Sequence, residues 1–231
     1  LKVAFPIRVK SKCATYEIPF GSILRPTTED NSWGKARFEV PALRWADFSQ
    51  DDYGVALLNN SKYGCDIHGN TIRLTLLRSP AFDKLKSVSV PDPLVDRGKH
   101  TIRYSLVPHL GNWKEALVYR KAYEFNFNPY IKFIKIQQKK KNEPREKSFL
   151  KIEPDNVVLT AFKQCEGELG HLILRIYEIW GQKSTVKIQL PIKLARVFKT
   201  NLIEEQKEEI ELDKENKIKV DIGAYEILTL R

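Results

Sequence analysis

Along most of this chain, apolar and polar residues alternate in short runs of the kind that half-buried strands produce, because successive side chains of a strand point to opposite faces. Ile7-Arg8-Val9, Ala36 to Val40, Tyr53 to Leu58, Ile72 to Leu77 and Ile102 to Val107 carry the pattern in the first half. Val157 to Phe162, Leu172 to Tyr177, Val186 to Leu190, Ile218 to Ile222 and Tyr225 to Leu230 carry it in the second. Asn59-Asn60, Gly69-Asn70 and the stretch around Pro91 and Pro93 favour chain reversal between runs. The pattern predicts an all-β protein with antiparallel sheets. One helix is expected near the middle. Asn112 can cap it, Glu115 stands at its third position, and Ala116 to Tyr123 contains no breaker.

After Tyr130 the sequence turns Lys- and Gln-rich and reaches Glu143-Pro144-Arg145, a hydrophilic stretch that few contacts should cross. This predicts a first domain over 1–135, a basic linker over 136–147 and a smaller β-sandwich of about 85 residues over 148–231. A chain of 231 residues with 42% hydrophobic side chains can bury a real core. No apolar run approaches the length of a membrane span, so no membrane partner is expected.

Charge and cysteines exclude some chemistry. The net charge of +10 would ordinarily suggest a polyanionic partner. Its distribution argues otherwise. Lys132 to Lys147 holds seven Lys/Arg against two Glu, and Glu204 to Glu215 holds seven acids against two Lys, so the charges form solvated blocks. No arginine-rich groove interleaved with aromatics appears, and nucleic acid is not an expected partner. Cys13, Cys65 and Cys165 are far apart and odd in number, which fits reduced thiols in a cytoplasm better than disulfides or a zinc site. None of His68, His100, His109 and His171 has a second histidine within helical reach, and the familiar hydrolase and nucleotide-binding motifs are absent. Asp51-Asp52 and Glu204-Glu205 are neighbours whose side chains point apart on a strand. No catalytic residue and no metal ligand is assigned to this chain.

Sugars present apolar C–H faces that stack on Trp and Tyr, and their hydroxyls suit arginine and asparagine. Arg25, Asn31, Trp33, Arg44, Trp45 and Tyr53 lie in or beside one polar stretch. Trp45, flanked by apolar residues, reads as core, whereas Trp33, between Ser32 and Gly34, reads as a loop residue. Trp113 is expected to staple the helix and Trp180 to close a strand into a turn.

The segments RPTTEDNSWGKARFEVPALRWADFS (Arg25 to Ser49), YGVALLNNSKYG (Tyr53 to Gly64), LTLLRSP (Leu74 to Pro80), HTIRYSLVPHLGNWKEA (His100 to Ala116) and YEILTLR (Tyr225 to Arg231) follow one another in register. Together they resemble the C-terminal region of glycoside hydrolase family 38 α-mannosidases of the bacterial and archaeal cytoplasmic type. The resemblance implies a large antiparallel β-sandwich of the galactose-mutarotase type, incomplete at its N-terminal side, followed by a smaller one. It implies retaining hydrolysis of α-mannosides through a carboxylate nucleophile, an acid/base carboxyl group and a zinc ion, all on an N-terminal catalytic α/β barrel. That barrel is the expected partner, and an α-mannoside or glycan the expected substrate. No position here matches the nucleophile, the acid/base or the zinc ligands. The Arg25-Pro26-Thr27 segment corresponds to a family loop that brings an arginine near the sugar, so Arg25, supported by Asn31 and Trp33, is the expected substrate-binding group. Thr28, Leu43, Gly34 and Asn60-Ser61 depart from the residues common in relatives. Strands preceding Leu1, or a homo-oligomeric copy, are expected to cover the apolar surface of an incomplete sandwich. The other reading is a stand-alone carbohydrate-binding or scaffolding β protein.

Overall fold

The computed structural model describes residues 1–37, 39–78, 98–133, 146–213, 215 and 217–231. The chain folds into two compact units, Leu1–Pro19 with Ile23–Pro129, and Phe20–Ser22 with Tyr130–Arg231. The expected linker over 136–147 lies outside the described residues except for 146 and 147. So do the expected reversal at Pro91 and Pro93 and the last two residues of the first expected domain.

The first half contains β1 (Lys2–Pro6), β2 (Cys13–Ile18), β3 (Gly21–Pro26), α1 (Ser32–Ala36), β4 (Val40–Pro41), β5 (Trp45–Ser49) and β6 (Tyr53–Asn59). After these come β7 (Gly64–His68), β8 (Thr71–Thr75), β9 (Tyr104–Leu110) and α2 (Val118–Asn126). A four-stranded sheet, β1-β8-β7-β4, faces a five-stranded one, β3-β2-β5-β6-β9, and every pairing described in them is antiparallel. Between them lie Tyr16, Phe48, Val55, Leu57, Cys65, Ile67, Ile72 and Leu74, all buried. Burying each large side chain of this kind contributes roughly 1.5–3 kcal/mol.

The alternation breaks in β6, where Gly54 through Asn59 are all buried. A second layer explains this. α2 buries Val118, Tyr119 and Ala122 and packs against β5 and β6, so the sheet is covered on both faces. Trp45, fully buried, meets Trp113 with ring centroids 4.9 Å apart, which places both tryptophans in this outer layer of core.

Three element expectations are corrected. Ile7 to Val9 lies between strands, although Val9 is buried. The expected strand over 36–40 is not found: α1, capped by Asn31 Oδ1 accepting from Gly34 N at 2.8 Å, runs through Ala36, and among the described residues there only Val40–Pro41 pairs with β7. The capping box at Asn112 forms, with Asn112 Oδ1 accepting from Lys114 N at 2.9 Å and Glu115 Oε2 accepting from Asn112 N at 3.0 Å. It closes a turn only. Leu117 adopts the left-handed conformation at φ 49°, so the helix proper starts at Val118.

The second unit holds β10 (Lys151–Glu153), β11 (Val157–Gln164), β12 (Leu172–Glu178), β13 (Ser184–Gln189), β14 (Val197–Thr200), β15 (Gln206–Ile210), β16 (Ile218–Ile222) and β17 (Ile227–Leu230). Sheets β10-β13-β16 and β11-β12-β17-β14-β15 enclose Leu174, Ile176, Val186, Ile188, Ile222, Leu228 and Leu230. Both units are thus antiparallel β-sandwiches, the second smaller in span, as the periodicity predicts.

Candidate functional site

Arg25 lies near the end of β3, where the next residues are held by backbone and core contacts. Thr27 is buried, its N–H donating to Lys12 O at 2.9 Å and its hydroxyl to Ser11 O at 3.1 Å. That anchorage sets the strand end on which Arg25 projects. Its guanidinium carbon stands 4.9 Å from the centroid of the Tyr16 ring, and Nη1 donates to Pro41 O at 2.9 Å. A cation over an aromatic face is favourable and costs little orientation entropy when the ring is in the core. Burial lowers the Arg25 pKa, against the pull of Tyr16 and Cys65 and with the push of Arg37. Burial likewise raises the Tyr16 phenol, so it stays neutral.

A crevice of about 30 Å³ opens beside this pair, lined by Tyr16, Arg25, Thr28, Arg37, Asp66 and His68 among others. That volume holds roughly one or two waters. The crevice therefore suits a single polar group, such as one hydroxyl, and not a whole sugar ring.

Asp66 and His68 of β7 also line it. Asp66 is buried and engages Lys2 Nζ at 2.5 Å and Arg73 Nη1 at 3.2 Å. His68 Nδ1 stands 3.3 Å from Glu29 Oε1, and its Nε2 is 3.9 Å from Asp66 Oδ1. Sequence reasoning misses Asp66 and His68 because it seeks histidine partners at helical spacing. On a strand, positions i and i+2 share a face, and both residues sit in β7.

The other sequence-selected residues separate. Asn31 spends its carbonyl on the α1 cap, and Trp33 on that helix is 78% exposed. Arg44 is half-buried and turned to an interior partner. Its Nε and Nη2 grip both oxygens of the fully buried Glu17 at 2.6 to 3.1 Å, and its guanidinium lies 3.9 Å over Tyr123. Tyr53 is half-buried against the core. Trp180, half-buried, stands in the turn after β12, where its N–H donates to Glu178. The three cysteines carry free thiols, and burial pushes Cys65 up to about 12, an unreactive value. Among the described residues no group of three His, Cys, Asp or Glu could hold a metal ion. Among them, too, no helix is long and apolar enough to cross a membrane.

Two antiparallel β-sandwiches follow one another along the chain, and a small polar crevice lies on the first. Two family models agree with this in chain order. Residues 1–93 match the glycosyl hydrolases family 38 C-terminal domain, and residues 156–230 match the glycosyl hydrolases family 38 C-terminal beta sandwich domain. The chain belongs to glycosyl hydrolase family 38, to its C-terminal region. Alpha-mannosidase 2C1 of Mus musculus is 35% identical over 233 residues, which cover 100% of this chain and 21% of that protein. Alpha-mannosidase G of Dictyostelium discoideum is 36% identical over 226 residues, 96% of this chain and 20% of that one. The crystal structure of an alpha-mannosidase from Enterococcus faecalis V583 aligns with all of this chain and 25% of its own at TM-score 0.78 and 19% identity, a likeness of fold. The chain spans about a fifth of the length of the curated relatives it matches.

Proposed function

We propose that this chain is the non-catalytic C-terminal β region of a retaining, zinc-dependent α-mannosidase. In this reading it packs on a catalytic barrel supplied by the N-terminal part of the same protein and shapes the mannose-binding cleft. The observation that carries it is the ordered match of both family 38 C-terminal models, together with similarity to α-mannosidases along the whole chain. Zinc in such an enzyme would grip sugar hydroxyls; the residues described here do not fit it, and in this reading the catalytic barrel supplies its ligands. Three unpaired thiols accord with a cytoplasmic enzyme.

The chain's own contribution is to place donors. Arg25 is held by Tyr16 and Pro41 O beside the crevice, and its guanidinium can receive one hydroxyl of a bound mannoside there. Exposed Trp33 offers an apolar face to the sugar, and Asn31 fixes the short helix that carries it. In the full-length enzyme, Arg25→Ala is expected to lower kcat/KM for an aryl α-mannoside by roughly 10- to 100-fold, the worth of one charged hydrogen bond of about 1.5–3 kcal/mol. Unchanged kinetics in a folded variant would remove Arg25 from the site. The 231-residue chain alone is expected to show no turnover of that substrate with or without added zinc. Reproducible zinc-dependent hydrolysis by the purified chain would place the reacting groups within it and sink this reading.

A further inference from the structure

The core of the second sandwich opens at one end. In its five-stranded sheet Phe162 stands opposite Leu174, and Leu174 opposite Leu230. Directly opposed residues of antiparallel strands share a face, and so do positions i and i+2 of one strand. Leu174 and Leu230 belong to the core, so Phe162 and Leu172 also point between the sheets. Yet Phe162 and Leu172 remain 44% and 41% exposed. The connection after β13 supplies the facing wall, with Leu190, Ile192 and Leu194 at alternate positions and Leu194 packed on the core. Between them lies a cavity of about 440 Å³.

That volume falls within the roughly 300–1,000 Å³ of small-molecule sites. The walls are chiefly branched aliphatic side chains, which suit an apolar body and offer a sugar or a nucleotide few polar partners. The titratable residues that line the cavity are His171, Lys193, Arg196 and Arg231, with no carboxylate among the lining residues. Both arginines already face an acid. Glu209 accepts from Arg196 Nε at 2.7 Å, and Glu168 accepts from Arg231 Nη2, with His171 Nε2 3.6 Å from the same carboxylate. Lys193 is exposed and, among the described residues, forms no ion pair. The Arg231 side chain is only 8% exposed, and its buried Nε has no hydrogen-bond partner. A donor shut away from water is unfavourable until an acceptor reaches it. One unmatched charge and one unmatched donor fit a singly charged carboxylate better than a phosphate, which carries nearly two charges.

We infer that this cavity binds an acyl chain ending in a carboxylate, with the chain between Phe162, Leu172 and Ile192 and the head beside Lys193 and Arg231. The occupant is chosen on charge complementarity and on the size of the cavity. The site lies wholly within the second unit and stands apart from the Arg25 crevice, so it does not depend on how the mannoside is bound.

Calorimetric titration of the full-length protein with octanoate, 1-octanol and acetate separates the chain from the head. Octanoate is expected to bind roughly tenfold more tightly than 1-octanol, the worth of one charged hydrogen bond, and acetate not to bind. Lys193→Gln, at an exposed position, should weaken octanoate roughly threefold and leave 1-octanol unchanged. Residue-resolved hydrogen exchange locates the ligand: octanoate should slow the amides of Leu172 to Leu174 and Leu194 to Phe198. Equal affinity for octanoate and 1-octanol would overturn the carboxylate assignment, and binding that leaves those amides unprotected would place the ligand elsewhere and overturn the site. Amides already slow without ligand and indifferent to octanoate would mean that another segment of the polypeptide fills the cavity. Protection lost on dilution to a monomer would give it to a second copy. Either result rejects the inference.

Discussion

Glu178→Ala is expected to destabilise the second unit by about 3–5 kcal/mol and to leave the first unchanged, because this buried carboxylate organises a ring of five donors. Glu178 is fully buried at the end of β12. Its Oε1 accepts from Asn156 Nδ2 and Trp180 N, each at 2.7 Å, and its Oε2 from Gly181 N at 2.7 Å and from Gln182 N and Tyr225 N at 3.1 Å. Four of the five donors are backbone groups that belong to two different turns. Removing the acceptor leaves them without a partner at a partly buried turn, where each donor shut off from water costs roughly 1–3 kcal/mol. Glu178→Gln should cost nearly as much, since its amide NH₂ would have to confront at least one of these N–H groups. Denaturant unfolding followed by residue-resolved exchange separates the units. A drop in protection confined to β10 to β17 is the expected result, and a variant as stable as the parent would show that the ring of donors is satisfied in some other way.

Glu178, Glu17 and Asp47 are buried acids that organise the sandwiches, and none is legible in the sequence. Alternation identifies which residues of a strand face away from the first core, and an acid at such a position reads as solvated. It cannot distinguish water from a second layer. Here α2 and Trp113 cover the outer face of β5 and β6, so the polar positions of Trp45-Ala-Asp-Phe-Ser become interior. The strands themselves are readable where one face alone decides them: Ile218 to Ile222 is a strand residue for residue, and the Gly69-Asn70 reversal joins β7 to β8, with Gly69 at φ 59°. Asn31 misleads in the other direction. An Asn followed by Ser-Trp-Gly is a cap signal, but the helix it starts is only five residues, too short for periodicity to register, and the alternation over 36–40 masks its end. At the crevice, Arg25 comes from the family resemblance, whereas Tyr16, Arg37, Asp66 and His68 join it only through the pairing of strands distant in the chain.

Asp47→Ala carries the second large effect, and it should reverse the sign of a pH dependence. Asp47 and His109 are buried beside each other in the β5–β6–β9 sheet, with His109 Nε2 and Asp47 Oδ1 at 2.7 Å and side chains 3% and 0% exposed. Ser49 Oγ donates to Asp47 Oδ2 at 2.7 Å, and His109 Nδ1 lies 3.3 Å from Leu110 O. The ring is also confined sterically, since a Cβ added at Gly54 would stand 2.5 Å from His109 Cε1 and 2.6 Å from Ser49 Cβ. Burial lowers the His109 pKa, and so does Lys121, but the hydrogen bond and charge of Asp47 together with Leu110 O outweigh them and raise it. A raised histidine stabilises the fold fully below its unfolded pKa near 6.5 and loses that contribution as pH rises through the folded value. The parent's first unit should therefore weaken over that interval. In Asp47→Ala the dominant raising influence is gone while burial and Lys121 remain, so His109 is pushed below its ordinary value and protonation favours the unfolded chain. The variant should be about 3–5 kcal/mol less stable at about pH 6, where folding must strip the proton from His109 instead of pairing it, and should gain stability as pH rises toward about 8. Unfolding free energies of the first unit, measured at about pH 5.5, 6.5, 7.5 and 8 to bracket the histidine range, give both slopes. Parallel profiles for parent and variant would mean that the Asp47 carboxylate does not hold the proton on His109.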